Sequence, residues 1–447
     1  MFEVKKVLLV MFLLFAVRFM ATVDAKEKRQ WKFDLGSGEL KNGYSLVLPE
    51  TTYGEGIEYG LVCPDGVLKP DKCKGSNKLT GDCISSEEAF YFLLNIKEGR
   101  YKVTVTLGSN EKESCTTVRA ESRRLMLENV KTAKGQTIKK TFIVDVRKPQ
   151  INDSLRVRLK KREFGSKNWD DNLCLEFNGS NPSVSSIVIE EANDLPVIFL
   201  AGDSTVTDQN NEPWASWGQM LPRFLSSDVV VANHAQSGLT LISFKYQNRL
   251  KKIVSEMKAG DYLFVEFAHN DQKKGSCHVE PFTTYQDELR FFIDEARKKG
   301  GIPVLVTSTN RRRFDEKGNI INTLGDYPEA MRQLAKEEDI PLIDLNAMTK
   351  TLYEAYGVEE SKRLFVHYPA NTFPGQEKEL ADNTHFSTFG AYELAQCVVN
   401  SFQENYPDLK RLVNSDFKGF DPARPDSFSD FNWPLSPSVD LVKPDGN

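Results

Sequence analysis

Apolar and polar positions follow two different rhythms along the chain, and the change falls near residues 191–195. Before it, short apolar or alternating runs occur at 90–94, 101–107, 141–146, 155–159 and 187–189. Turn residues separate them, as at Glu98-Gly99, Gly108-Ser109-Asn110 and Phe177-Asn178-Gly179. Successive side chains of a strand face opposite ways, so alternation between regular turns predicts strands with one buried face and a β-sandwich over residues 26–192. After the change, continuous apolar runs alternate with helical periodicity. Strands are predicted at 196–200, 229–232, 262–267, 302–306 and 341–345. Helices are predicted at 213–225, up to residue 258, at 285–299, at 328–338 and from Thr388 onward. Strands that are apolar throughout need cover on both faces, which is the condition of a doubly wound parallel sheet of the flavodoxin-like α/β class. Residues 193–447 are expected to form this second domain, with an extension after the last helix.

The first residues form a separate segment. Lys5 and Lys6 precede an apolar run over 7–17, and Val23-Asp24-Ala25 resembles a small-residue cleavage site. This pattern predicts a signal peptide at 1–25 and a mature chain that is periplasmic or secreted. The run falls short of the ~20 residues that span a bilayer, and no later segment is apolar enough. No membrane anchor is therefore expected after signal removal. Seven cysteines leave at least one unpaired, and export permits disulfides without fixing their pairing. Cys63 and Cys73 lack the close pairing of a zinc knuckle, so no metal site is expected. With 40% hydrophobic and 27% charged residues, the chain is not of the disordered class. A net charge of −5 argues against a general nucleic-acid binder, which presents a basic face.

Ligands of open α/β sheets bind beyond the carboxyl ends of the strands, and four polar clusters fall there or in the final loop. Gly202-Asp203-Ser204 follows the first parallel strand, where a tight turn exposes a serine beside backbone N–H groups. A helix cap has the same composition. Gln236-Ser237-Gly238 follows the second strand; glycine lets a backbone N–H approach a developing oxyanion, and it also serves ordinary turns. Ala268-His269-Asn270-Asp271 follows the third, and Asn270 is either an oxyanion donor or an Asx-turn residue. Asp382-Asn383-Thr384-His385 precedes the last helix. A histidine takes the serine proton and a carboxylate holds its tautomer, so one loop can present both Asp382 and His385 to a distant serine. Taken singly, such a loop is more often solvated. The order of the four is what carries weight.

In that order, Gly202-Asp203-Ser204, Gly238, Asn270 and Asp382/His385 resemble the four blocks of the SGNH hydrolases, a branch of the GDSL esterases. The likeness is nearer to the bacterial rhamnogalacturonan acetylesterases. Leu200-Ala201-Gly202-Asp203-Ser204-Thr205-Val206 is similar to their AGDSTV block, and Trp214-Ala215-Ser216-Trp217-Gly218 to the region after it. His269-Asn270-Asp271 and Asp382-Asn383-Thr384-His385-Phe386-Ser387 are similar to their HND and DNTHFS stretches. The resemblance spans roughly residues 196–406 and departs at Ala268, where the family has glycine. It implies that Ser204 is the nucleophile, His385 the general base and then acid, and Asp382 its orienting carboxylate. It also implies an oxyanion hole of the Ser204 and Gly238 N–H groups with the Asn270 amide, needing no metal or cofactor. Asp203 is then a support of the turn.

The implied substrate is an acetylated plant cell-wall polysaccharide, with rhamnogalacturonan first. Arg311 and Arg312, in the run Arg311-Arg312-Arg313 after the fourth strand, suit uronate carboxylates through paired hydrogen bonds, or form a solvated basic loop. Trp214 either stacks on a sugar ring or packs in the interior, and His269 either points into the site or is a packed histidine. The opening Trp31-Lys32-Phe33-Asp34-Leu35-Gly36 resembles galactose-binding-like accessory domains, which implies glycan contact or a structural role. Two other functions stay open: an SGNH esterase on acetylated xylan or a small acyl ester, and a non-catalytic carbohydrate-binding protein.

Overall fold

Alternation in the first half translates into β1 (Gln30–Leu35), β2 (Ser45–Val47), β3 (Tyr59–Val62), β4 (Lys69–Asp71), β5 (Cys83–Ser85), β6 (Phe90–Asn95), β7 (Gly99–Leu107), β8 (Ser114–Ala120), β9 (Arg124–Thr132), β10 (Ile138–Val146), β11 (Asn172–Ser180) and β12 (Ser183–Glu191). The computed structural model describes residues 29–37, 39–64, 69–71 and 79–445, so the expected signal peptide and Cys73 lie outside the described residues. One sheet runs β10-β7-β12-β1-β2, with β5 pairing β12 and β4 pairing β5; the other runs β3-β6-β11-β8-β9. Inward side chains of both, among them Phe33, Phe92, Val103, Phe177 and Ile187, share one apolar cluster. The strand expected at 155–159 does not form. Arg156 makes an isolated bridge to Gln150, and the segment instead bonds to the second half, Arg158 N–H donating to Gln247 O at 2.9 Å.

The second half contains β13 (Val197–Gly202), β14 (Val230–Asn233), β15 (Tyr262–Glu266), β16 (Ile302–Val306) and β17 (Leu342–Ile343), all parallel, in the order β14-β13-β15-β16-β17. This 2-1-3-4-5 order is flavodoxin-like and opens a crevice at the carboxyl ends where the winding reverses. Every residue of β13 and β15 is buried, as their unbroken apolar runs require. Separate apolar clusters cover the two faces. One is built with α1 (Trp217–Met220), α6 (Leu345–Glu360) and α7 (Thr388–Asn405). The other uses α2 (Leu241–Tyr246), α3 (Arg249–Glu256), α4 (Gln286–Lys298) and α5 (Tyr327–Glu337). Among the described residues no helix is long and apolar enough to cross a membrane.

Two helical expectations need correction. The helix expected at 213–225 shrinks to α1 and a 3₁₀ turn, Leu221–Phe224. Pro222 interrupts its N–H series, and the chain before α1 is extended because Ala215 N–H donates to Phe386 O at 3.0 Å. The helix expected up to residue 258 breaks at Asn248, which adopts a left-handed φ of 62°. Its amide donates to Arg156 O at 3.0 Å, which fixes that break. α6 was not expected, although Leu345, Thr349, Leu352 and Tyr353 bury one helical face and Asp344 accepts from Ala347 N–H at 3.3 Å.

The halves meet on buried arginines, beside which Leu125 and Ile143 of the first half pack into the apolar clusters of the second. Arg123 and Arg124 stand where β8 turns into β9, with Glu121 and Arg123 in left-handed conformation. Arg124 Nε donates to Asp208 Oδ2 at 2.6 Å, and its other nitrogens donate to Asp145 O at 2.8 Å and Asn168 Oδ1 at 3.2 Å. Arg123 pairs with Glu212 at 2.7 Å and donates to Trp214 O at 2.9 Å. Arg249 of the second half returns the exchange by pairing with Glu163 at 2.5 Å. A strap after the last helices seals the joint. Trp433 Nε1 donates to Glu212 Oε1 at 2.9 Å, and its ring lies under the Arg119 guanidinium.

Removing one partner of a buried pair leaves the other charge stranded, at about 3–5 kcal/mol. Arg124→Ala should therefore lose stability of that order in urea unfolding followed by circular dichroism. A loss under about 1 kcal/mol would refute the buried-pair account.

Candidate active site

β13 ends on Gly202 and the chain turns at once. A Cβ there would lie 2.5 Å from Val206 Cγ2, so only glycine lets the turn close. Fully buried Asp203 ties the turn from within, its Oδ1 accepting from both the N–H and the Oγ1 of Thr205 at 3.0 Å. Its carbonyl accepts from the N–H groups of Val206 and Thr207 at 3.2 and 3.1 Å. The Ser204 carbonyl accepts from Ser216 Oγ at 2.6 Å and Gln209 Nε2 at 3.1 Å. With its backbone held on both sides, Ser204 presents Oγ to His385 Nε2 at 3.1 Å.

His385 and Asp382 lie on β19 (Leu380–Phe386), paired antiparallel with β18 (Phe365–Tyr368), and not in the loop expected from the sequence. Residues three apart on a regular strand face opposite ways. A register shift between the Phe365 and His367 pairings puckers this strand, so both side chains meet. His385 Nδ1 is 2.8 Å from Asp382 Oδ2, while Asp382 Oδ1 accepts from the N–H groups of Thr384 at 2.7 Å and His385 at 3.0 Å. Burial acts to raise the Asp382 pKa, but the His385 bond and charge and the two amides outweigh it and hold the carboxyl well below the ordinary range. The Trp214 ring stands edge-on to the His385 ring, centroids 5.9 Å apart.

The loops after β14 and β15 complete the crevice. Gly238 adopts φ 75°. Asn270 is oriented at both ends, its Nδ2 donating to Leu239 O at 3.1 Å and its Oδ1 accepting from Lys273 Nζ at 3.0 Å. The four residues expected at the sugar all have protein partners. Trp214 is buried against His385, with Nε1 donating to Asp440 O at 3.0 Å. His269 is also buried, its Nε2 3.4 Å from Thr309 Oγ1, and burial first, then Arg311, pushes its pKa well down. Arg312 donates to Ser361, Asn383 and Val358, bracing the strand that carries His385. Arg311 donates to Thr323 and to His269 O, supporting the Asn270 loop.

Comparison with known proteins bears on this geometry. The profile of the GDSL-like lipase/acylhydrolase family matches residues 200–390. A rhamnogalacturonan acetylesterase of Bacillus subtilis, RhgT, is 51% identical over 224 residues, which are 49% of this chain and 96% of that protein. The chain belongs to the GDSL-like lipase/acylhydrolase family. It is a carboxylic-ester hydrolase. A probable rhamnogalacturonan acetylesterase of the same organism, YesY, is 35% identical over 46% of this chain and 92% of its own length. An uncharacterized esterase, YxiM, also of B. subtilis, is 26% identical over 88% of this chain and 96% of its own length.

Behind the serine, this GDSL-family hydrolase buries a row of acids, Asp203, Glu266 and Asp271, of which Glu266 was not among the residues expected from the sequence. Glu266, the last residue of β15, accepts from Trp217 Nε1 at 2.6 Å and lies 2.9 Å from Thr205 Oγ1. One hydroxyl proton cannot serve both Asp203 and Glu266. Burial first, and then the Asp203 charge, pushes Glu266 up to about 8, so at neutral pH its own proton completes the chain to Thr205. Asp271 is also pushed up to about 8, by burial first, while accepting from Leu241 N–H at 2.9 Å. The signal in the sequence was an acid ending an otherwise apolar strand, as at Glu266.

These pKa values set the pH dependence of stability. Glu266 and Asp271 titrate higher in the folded than in the unfolded chain, so their contribution is complete below about pH 4 and is lost as pH rises through about 8. Asp382 is depressed, so its contribution is present above about pH 4 and is lost on acidification. The unfolding free energy in urea should fall between pH 6 and 9, and Glu266→Gln should make that fall shallower by removing one of the groups, Glu393 among them, that titrate near 8. An unchanged slope in Glu266→Gln would contradict the assignment.

Proposed function

We propose that this hydrolase is an exported polysaccharide acetylesterase that removes O-acetyl groups from pectin, with the rhamnogalacturonan backbone as substrate. The observation that carries the reading is the unbroken line from Ser204 Oγ to His385 Nε2 at 3.1 Å and from His385 Nδ1 to Asp382 Oδ2 at 2.8 Å. It lies within residues 200–390, which the family profile matches, and two relatives of the chain are named as rhamnogalacturonan acetylesterases.

In this mechanism Ser204 Oγ attacks the acetyl carbonyl as His385 Nε2 takes its proton, and Asp382 holds the resulting imidazolium. The Ser204 and Gly238 N–H groups and the Asn270 amide receive the oxyanion. His385 then gives its proton to the departing sugar hydroxyl. Water, activated by the same histidine, releases acetate and restores Ser204. No step calls on a metal or cofactor. The β-rich half is read as a β-sandwich accessory domain that braces the segment after Ser204, and residues 1–25 as the export signal.

Ser204→Ala should reduce acetate release from acetylated rhamnogalacturonan and from an aryl acetate to background. Asp382→Asn should cost on the order of 10⁴ in kcat, and Asn270→Ala about 10²–10³. Undiminished release by the Ser204→Ala protein would sink the mechanism. Faster release from acetylated xylan than from pectin would sink only the choice of polymer.

A further inference from the structure

The strap that seals the domain joint continues across the mouth of the site. Asp440 O accepts from Trp214 Nε1, Lys443 Nζ lies 3.3 Å from Asp382 Oδ2, and Asp445 arrives beside Gly238. The approach is close, since a Cβ on Gly238 would lie 2.8 Å from Asp445 Cβ. The Asp445 carboxylate is held by two cations of the first half. Lys160 Nζ is 3.2 Å from its Oδ2, and Arg162 NH1 is 3.5 Å from its Oδ1. Lys160 Nζ also donates to Ser237 O at 2.5 Å, which fixes the ammonium next to the loop of Gly238.

Glu163 is engaged by Arg249 and by Trp169 Nε1, and Asp208 by Arg124. Arg162 also borders two polar cavities of about 140 and 220 Å³ that lie between the halves and share Ser166, Asn210 and Asn211. Their lining mixes amides and hydroxyls with the guanidiniums of Arg147 and Arg162 and the carboxylates of Glu163 and Asp208, so the β-rich half presents polar space beside Arg162.

We propose that Lys160 and Arg162 form a subsite for a uronate carboxylate of the substrate, supplied by the β-rich half, and that Asp445 occupies it until the polymer displaces the strap. This rests on the reading of the cleft as a pectin site. Planar carboxylates suit an Arg–Lys clamp, and a uronate beside the acetylated sugar carries the same group as Asp445. Displacing the strap also withdraws Lys443 from Asp382, leaving that carboxylate to His385.

The test is calorimetric titration of trigalacturonate into the Ser204→Ala protein, with the carboxyl-reduced, neutral trisaccharide as control. Arg162→Gln should weaken trigalacturonate binding about tenfold. Asp445→Asn should strengthen it several-fold by removing the internal competitor, a gain that misfolding cannot produce. Neither change should shift binding of the neutral sugar. Trigalacturonate binding that ignores both substitutions overturns the subsite and leaves the pectin reading intact. No binding to any of these proteins, Asp445→Asn included, overturns both.

Discussion

Everything around the nucleophile depends on two arginines taken out of water. Arg123 and Arg124 cross from the β-rich half into the segment that leaves Ser204, where they meet Glu212, Asp208 and the carbonyl of Trp214. Burying such charges is costly unless each finds its counter-charge and its remaining hydrogen bonds. That requirement pins residues 208–214 within a narrow range of positions. Trp214 then stands against His385, and Ala215 pairs with Phe386 on the same strand. Orientation of the histidine is thus set partly by residues with no chemical role.

A second constraint lies beneath the serine. Asp203, Thr205, Glu266 and Trp217 form one buried hydrogen-bonded chain, and it holds together because Glu266 keeps its proton. The turn is rigid, as a site needs when its donors and acceptors must sit within a few tenths of an ångström of productive geometry. Rigidity here comes from a protonation state as much as from packing.

What the sequence made legible follows from where the information is local. Parallel strands appeared because their apolar runs are continuous, and Ser204 stood out because a glycine and a serine at a strand end have few other uses. Asp382 and His385 were legible as a pair, but not their strand, whose pucker depends on pairing with Phe365 and His367. Residues 213–216 looked helical and are extended, because their partners are Arg123 and Phe386, far away in the chain. That Trp214 packs on His385 and that Arg312 reaches Asn383 was not legible, because composition says nothing of burial or of distant partners. The strap had no periodicity to notice; its meaning lies in Glu212, Asp382 and Lys160.

The sharing of Glu212 bears on how the molecule is made. Its carboxylate serves Arg123 from one side and Trp433 and Ser436 from the other, so three distant stretches must be present at once. Domains emerge in order during synthesis, and the strap follows the last strands and helices. A nascent chain that has completed β19 already holds serine, histidine and aspartate, yet Trp433 has not closed over the pair that steadies them. Assembly of the site therefore waits on residues 433–436 and is not complete when the strand that carries His385 has formed.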